Sequence, residues 1–97
     1  VFKPGNAFNT WADSVLIYFS ENVDKSLTII GHTDNLGTIQ YNQDLGLRRA
    51  QSAKVFFKKS GLTATINTMT KGEKAPVATN QTDLGRQKNR RVNFIIQ

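Results

Sequence analysis

Residues 27–37 read LTIIGHTDNLG, an uncharged apolar run that passes into a polar cluster flanked by two glycines. The run is rich in β-branched residues, which predicts a short, buried and central strand over residues 26–32. A strand that ends in His32, Thr33 and Asp34 delivers these polar side chains to one edge of a sheet. The stretch therefore predicts both the centre of the fold and the place where a functional site is expected.

The sequence on both sides of this strand predicts two long helices. The first is expected over residues 9–21 with Thr10 as its N-cap, and the second over residues 39–60, ending at Gly61. In both segments apolar residues recur at helical spacing. The positions expected to face the core are Ala12, Val15, Leu16 and Phe19 in the first helix, and Leu45, Ala50, Ala53 and Phe57 in the second.

The C-terminal part predicts two further strands. Residues 64–69 show partial alternation, residues 70–82 are rich in loop-forming residues, and residues 83–89 suit a short helical turn. Residues 91–96 give the clearest alternation, which predicts a strand with one apolar face. Two strands separated by a helix predict a parallel pair joined by a crossover, so we expect an α/β fold.

Size and composition exclude several classes of protein. Ninety-seven residues suit one domain, residues 1–97, and the absence of cysteine excludes disulfides, thiol catalysis and cysteine zinc sites. No apolar stretch approaches the roughly 20 residues of a membrane span. The abrupt start at Val1 suggests a domain excised from a longer protein. Residues 48–97 hold eleven Lys or Arg against two acids, a basic half that suits either a polyanion or a solvated surface.

Neither a metal site nor an active site is indicated. His32 and Asp34 could share one face, but His32 is the only histidine and zinc needs three or four ligands. We expect the imidazole to hydrogen-bond the local backbone instead. No serine stands in a nucleophile turn, and Glu73 is the one candidate partner of Asp34 for glycosidase chemistry. We therefore expect a protein that is not an enzyme and needs no cofactor.

Arginines that follow Asp34 along the chain leave two interpretations open. Arg49 flanks the core face of the second helix, which must pack back on the strand that precedes it. It could form an internal salt bridge with Asp34, or the two could bind the carboxylate and the ammonium of a zwitterionic ligand. Spacing alone does not choose between these. Arg90 alternates with Val92 and Phe94, so it should lie on the apolar face of the last strand and could add a second cation to the site. Arg91 should point to the opposite face.

These residues also carry a resemblance to a known family. The chain resembles the OmpA-like C-terminal domain of Gram-negative outer-membrane proteins and peptidoglycan-associated lipoproteins. The matching residues lie between positions 27 and 96, in the family's order and near its spacing. They are Gly31-His32-Thr33-Asp34 with Gly37, Tyr41-Asn42 with Leu45, Arg49-Ala50, Gly72-Glu73 with Pro76, Asn80, Gly85-Arg86 and Asn89-Arg90-Arg91-Val92.

The resemblance implies a fold, a ligand and a location. The fold is a two-layer α/β sandwich with helices on one face of a small mixed sheet, whose first strand here would be reduced to Val1-Phe2 or cut away. The implied partner is peptidoglycan, bound non-covalently through the diaminopimelate of its stem peptide. By motif position, the principal binders are Asp34 and Arg49, with Thr33, Asn42 and Arg90 as supporting contacts. The implied location is the periplasm, where a parent protein in the outer membrane is tethered to the wall.

Some positions depart from the family's pattern. Gly46 stands where serine is common, Thr70 replaces a glycine of the 70–76 loop, and Asn93 replaces a frequent glutamate. A proline frequent after the aspartate in flagellar stator relatives is absent, which favours the outer-membrane branch. Two alternatives remain: the same domain in a motor stator or secretion machine, or a basic domain that binds nucleic acid, which we do not expect.

Overall fold

A computed structural model describes residues 5–97 of the chain. The elements are α1 (Asn6–Glu21), β1 (Leu27–His32), α2 (Ile39–Lys59), β2 (Ile66–Gly72), α3 (Asp83–Asn89) and β3 (Arg91–Ile96). The sheet has the order β2-β1-β3, with β1 parallel to β2 and antiparallel to β3. The central position of β1 and the parallel crossover are thus confirmed. The strand expected at Val1-Phe2 lies outside the described residues.

The two layers meet at one hydrophobic core. Leu27 and Ile29 of β1 are fully buried and point toward the helices, since alternate residues of a strand share a face. The remaining members of the core come from both long helices, from the segment that joins α2 to β2, and from β2: Ala12, Val15, Phe19, Ala50, Ala53, Phe57, Leu62 and Ile66. Phe56 and Phe94 pack against this core. Aromatic rings packed in this way are not free to stack on nucleic-acid bases.

The first helix begins earlier than its sequence pattern predicts. α1 starts at Asn6 with Gly5 at the N-cap, so the assignment of Thr10 as the cap is wrong. The Thr10 hydroxyl instead donates to the carbonyl of Asn6 inside the helix. The extra turn places Phe8 against a group of aromatic rings that includes Trp11 and Phe94. Ring packing, which the local sequence does not reveal, therefore favours the longer helix.

The second helix lies closer to β1 than its predicted buried stripe suggests. Leu45 is half-buried, and Gly46 and Asn42 are the buried residues of this part of α2. A Cβ atom built on Gly31 would lie 1.8 Å from the carbonyl oxygen of Gly46, so only glycine fits at this crossing. A glycine inside a helix ordinarily weakens it. Its lack of a side chain lets α2 approach the strand that carries the polar cluster.

The second parallel strand is shifted toward the C-terminus relative to its prediction. β2 spans Ile66–Gly72 rather than residues 64–69, and residues 70–72, expected in a loop, continue the strand. Pairing with β1 extends to His32 and Gly72, with an irregularity in register after Gly31. Pairing with the central strand, rather than the pattern of its own residues, explains this shift. The end of α2 and the positions of α3 and β3 agree with the sequence prediction.

Candidate functional site

The polar cluster after β1 is buried and held in place by the backbone. Thr33 and Asp34 are 3% and 7% exposed. The N–H of Thr33 donates to the carbonyl of Gly72 at the end of β2 (2.9 Å), and its hydroxyl donates to the carbonyl of Asp34 (2.8 Å). The N–H of Leu36 donates to Asp34 Oδ1 (3.0 Å). The Asp34 carboxylate is therefore fixed at the rim of the sheet, where the chain turns toward α2.

Asp34 forms an ion pair with Arg90, which lies between α3 and β3. Arg90 Nη1 donates to Asp34 Oδ2 at 2.7 Å. Burial opposes ionisation of Asp34, but the hydrogen bond from Leu36 and the charges of Arg90 and Arg49 outweigh it and lower its pKa. Asp34 is thus a carboxylate at neutral pH, with one oxygen bound by the backbone and the other by a guanidinium.

Arg49 reaches the same cluster from α2 but bonds a different atom. Its Nη1 donates to the carbonyl oxygen of His32 at 3.1 Å. Burial and the nearby charge of Arg90 lower the pKa of Arg49, while the charge of Asp34 raises it. The internal salt bridge considered between Asp34 and Arg49 is therefore not formed, because Arg90 takes the carboxylate. Within residues 5–97, Arg49 has no ion-pair partner.

Asn42 lies beside the end of β2, close to this cluster. Its side chain is fully buried, and its Nδ2 donates to Glu73 Oε1 at 3.1 Å. Glu73 is therefore engaged with Asn42, and the pairing with Asp34 weighed for glycosidase chemistry is absent from the hydrogen bonds of the described residues. The structure thus joins Asp34 directly to Arg90 and places Arg49, Thr33 and Asn42 around the same strand ends.

His32 is buried on the opposite face of the sheet and carries no charge at neutral pH. Its Nε2 lies 3.2 Å from Asn93 Nδ2, so its partner is a side chain and the expected backbone bond is wrong. Burial, followed by the charges of Arg91 and Lys71, lowers its pKa to about 4. No group of three or more potential metal ligands occurs within residues 5–97. His32 therefore acts as a packed residue of the sheet.

The sequence itself matches a known family over most of its length. Residues 5–90 match the OmpA family. The chain belongs to this family. The outer-membrane lipoprotein YfiB of Pseudomonas aeruginosa is 39% identical over 89 residues, which cover 91% of this chain and 52% of the lipoprotein. This OmpA-family chain therefore spans about half the length of that relative.

Solved structures share the fold of this chain. The peptidoglycan-associated lipoprotein from Burkholderia pseudomallei superposes with a TM-score of 0.88 at 23% identity, covering 100% of this chain and 83% of that one. This likeness confirms the two-layer α/β fold. The cell wall anchor of the T6SS from Pseudomonas aeruginosa is 27% identical, with a TM-score of 0.67, and covers 95% of this chain and 66% of that one. The relatives of this OmpA-family chain thus include outer-membrane lipoproteins, as the resemblance implied.

No helix among residues 5–97 combines the length and the apolar character needed to cross a membrane. The long helices of this OmpA-family domain each place apolar residues in the core, although others, such as Ile17 and Val55, are exposed.

Asn89 is the site residue whose role the sequence did not reveal. It is fully buried, and its Oδ1 accepts from the N–H groups of Val77 (2.8 Å) and Ala78 (3.0 Å). Its Nδ2 donates to the Ala78 carbonyl and to Asn80 Oδ1. Asn89 therefore fixes the loop before α3 and, being next to Arg90, sets where that guanidinium emerges. The sequence signal for this role is the position of Asn89 directly before Arg90 and Arg91.

Proposed function

We propose that this OmpA-family domain binds peptidoglycan non-covalently through the diaminopimelate of the stem peptide. The observation that supports this most strongly is Arg49. Its guanidinium is partly buried, lies near enough to Asp34 to lower the pKa of that carboxyl, and has no ion pair within residues 5–97. A partly buried guanidinium without a carboxylate partner can donate hydrogen bonds to an anionic group of a ligand.

The free end of diaminopimelate offers the matching charges. It carries an ammonium and a carboxylate on one carbon, so the ammonium would bind Asp34 while the carboxylate would bind Arg49 in a bidentate fork. Thr33, Asn42 and Arg90 would support these contacts. Such binding makes and breaks no covalent bond. We therefore propose a wall-binding module rather than an enzyme. The names of two structural relatives, a peptidoglycan-associated lipoprotein and a cell wall anchor, support the same interpretation.

The proposed role is to tether a parent protein of the outer membrane to the wall in the periplasm. Affinity for one stem peptide should be modest, because two charged contacts must offset the entropy of association. Several copies held in one membrane would attach firmly through their high effective concentration. A parent within a secretion machine is the second candidate, which the likeness to the T6SS anchor favours.

Sedimentation with purified sacculi that contain diaminopimelate tests the site. Asp34→Ala and Arg49→Ala should each weaken binding at least about 30-fold, because removing one partner of a desolvated charge pair commonly costs ~2 kcal/mol or more. Arg48→Ala is the matched control for Arg49. Arg48 is exposed and lies over the Tyr41 ring, and its removal should leave sedimentation nearly unchanged.

Two outcomes would contradict the proposal at different levels. If both alanine variants sediment like the unmodified domain, the site assignment is wrong even though the domain binds the wall. If sacculi whose stem peptides carry lysine bind as well as those with diaminopimelate, the domain recognises peptidoglycan by another group.

A further inference from the structure

Both oxygens of the Asp34 carboxylate accept hydrogen bonds from the chain itself. Arg90 Nη1 binds Oδ2, and the N–H of Leu36 binds Oδ1. Each oxygen of Asp34 therefore already has one donor, and only 9% of the side chain is exposed, so little of the carboxylate is open to a ligand. The Leu36 N–H belongs to the turn after the polar cluster, whereas Arg90 is a side chain that could move. Replacing Arg90 would give an incoming ammonium direct access to Oδ2.

Arg90 and Asp34 differ sharply in their exposure. The side chain of Arg90 is 40% exposed, and that of Asp34 is 9% exposed. Within residues 5–97, Asp34 Oδ2 is the only acceptor that Arg90 has for its side chain. The guanidinium can therefore leave Asp34 toward solvent without breaking other bonds of its own.

We infer that Arg90 is a gate for specificity, which holds Asp34 until a ligand brings both an ammonium to replace it and a carboxylate to receive it. This inference rests on the proposed function and names how the same site chooses its ligand. On binding, the ammonium takes the place of Arg90 on Asp34. The released guanidinium then joins Arg49 on the ligand carboxylate.

The balance of charge at the site explains why both ligand groups are needed. Within the chain, the guanidinium groups of Arg49 and Arg90 lie near the single carboxylate of Asp34, and the charge of Arg90 lowers the pKa of Arg49. An ammonium alone would free Arg90 and add a third cation to the cluster, which like-charge repulsion opposes. A ligand that also carries a carboxylate adds one positive and one negative charge. The site then holds three cations and two carboxylates, so its excess of one positive charge is unchanged. The gate therefore discriminates diaminopimelate from lysine, which has the ammonium but lacks the second carboxylate.

The test compares two stem tripeptides that differ only in the third residue, meso-diaminopimelate or lysine. NMR titration of the isotopically labelled domain measures both affinities. In Arg90→Gln, Asp34 is available to an ammonium from the start, so the lysine peptide should bind roughly fivefold more tightly than to the unmodified domain. The diaminopimelate peptide should bind more weakly, because its carboxylate loses one guanidinium.

Two further variants make the result specific to Arg90. Arg91→Gln removes the same charge from the next residue, whose guanidinium donates to the carbonyl of Ala75 at 2.9 Å, and should leave the ratio of the two affinities unchanged. Arg90→Lys keeps a cation at the gate and should retain most of the discrimination. Amide spectra of each variant establish that the fold is intact.

The direction of change for the lysine peptide decides between the possible roles of Arg90. If Arg90→Gln leaves that affinity unchanged and weakens only the diaminopimelate peptide, Arg90 is a simple ligand contact and the gate is refuted. If both peptides weaken equally, Arg90 has a structural role and the gate is likewise refuted. If neither peptide binds the unmodified domain, the proposed function fails and the gate with it.

Discussion

Asp34 and His32 lie two residues apart, and the fold favours opposite charge states for them. Asp34 is at the rim, where a backbone N–H and two guanidinium groups lower its pKa and stabilise the carboxylate. His32 lies on the face of the sheet opposite the helices, where burial and the charges of Arg91 and Lys71 lower its pKa and keep the ring neutral. Asp34 therefore stays charged, as electrostatic recognition requires, whereas His32 stays neutral and packed in the sheet.

The neutral state of His32 predicts how stability depends on pH. Its pKa is about 4 in the folded domain against 6.5 when unperturbed, so the unfolded chain binds the proton more readily between these values. Stability should therefore fall as pH drops from about 6.5 toward 4, by at most about 3 kcal/mol. Protonation would add an N–H to a ring whose Nδ1 is buried without a partner within residues 5–97.

Urea denaturation at several pH values checks this prediction, with His32→Gln as the comparison. The variant has no group that titrates in this window at position 32, and His32 is the only histidine of the chain. The free energy of unfolding should rise with pH between 5 and 6.5 in the unmodified domain and stay flat in His32→Gln. Equal slopes in the two proteins would show that His32 is not the titrating group.

At the scale of elements, the crossing of α2 over β1 and β2 joins two departures from the family's pattern. A Cβ atom on Gly46 would lie 2.3 Å from Thr70 Oγ1 and 2.9 Å from the carbonyl oxygen of Gly31. The Thr70 side chain therefore fills space that a residue larger than glycine would need at position 46. The family commonly has serine at the helix position and glycine at the strand position. This chain instead has glycine in the helix and the larger threonine in the strand.

The contact predicts that positions 46 and 70 are energetically coupled. Gly46→Ser alone should destabilise the domain by roughly 1–3 kcal/mol through overpacking. In a Thr70→Gly background the same change should cost less, giving a coupling energy on the order of 1 kcal/mol in a double-mutant cycle. Urea denaturation of the four proteins measures it. Gly5→Ala is the control, since a Cβ atom there meets nothing within 4 Å. Additive effects at 46 and 70 would disprove the compensation.

The elements differ in how far the sequence alone predicts them. β1 and β3 follow from local patterns, because an apolar run and a strict alternation each specify a strand. β2 does not, since its limits are set by pairing with β1 rather than by its own residues. Likewise, the motif singled out Asp34 and Arg49. The contact of Asp34 with Arg90, 56 positions away, depends on the antiparallel placement of β3 and on the anchoring of Asn89.

At the scale of the whole molecule, part of the positive charge lies away from the proposed site. The net charge of +6 arises from the C-terminal half, which includes Lys58 and Lys59 in the last turn of α2. These lysines lie ten or so residues beyond Arg49, a distance of about 15 Å along a helix. General attraction to a polyanion and recognition at Asp34 are therefore two properties that substitutions can separate.

This separation predicts different responses to charge reversal and to salt. Lys58→Glu with Lys59→Glu lowers the net charge from +6 to +2 but touches no residue of the site. The double variant should bind sacculi nearly as well as the unmodified domain, and far better than Arg49→Ala. Raising salt from 50 to 200 mM should weaken this binding by less than the 10³–10⁵ typical of a protein that makes many phosphate contacts. Sedimentation with sacculi, and in parallel with duplex DNA, measures both effects. Binding that collapses on charge reversal yet survives Arg49→Ala would instead identify a basic polyanion-binding domain, because it would follow the charge of the surface rather than the geometry around Asp34.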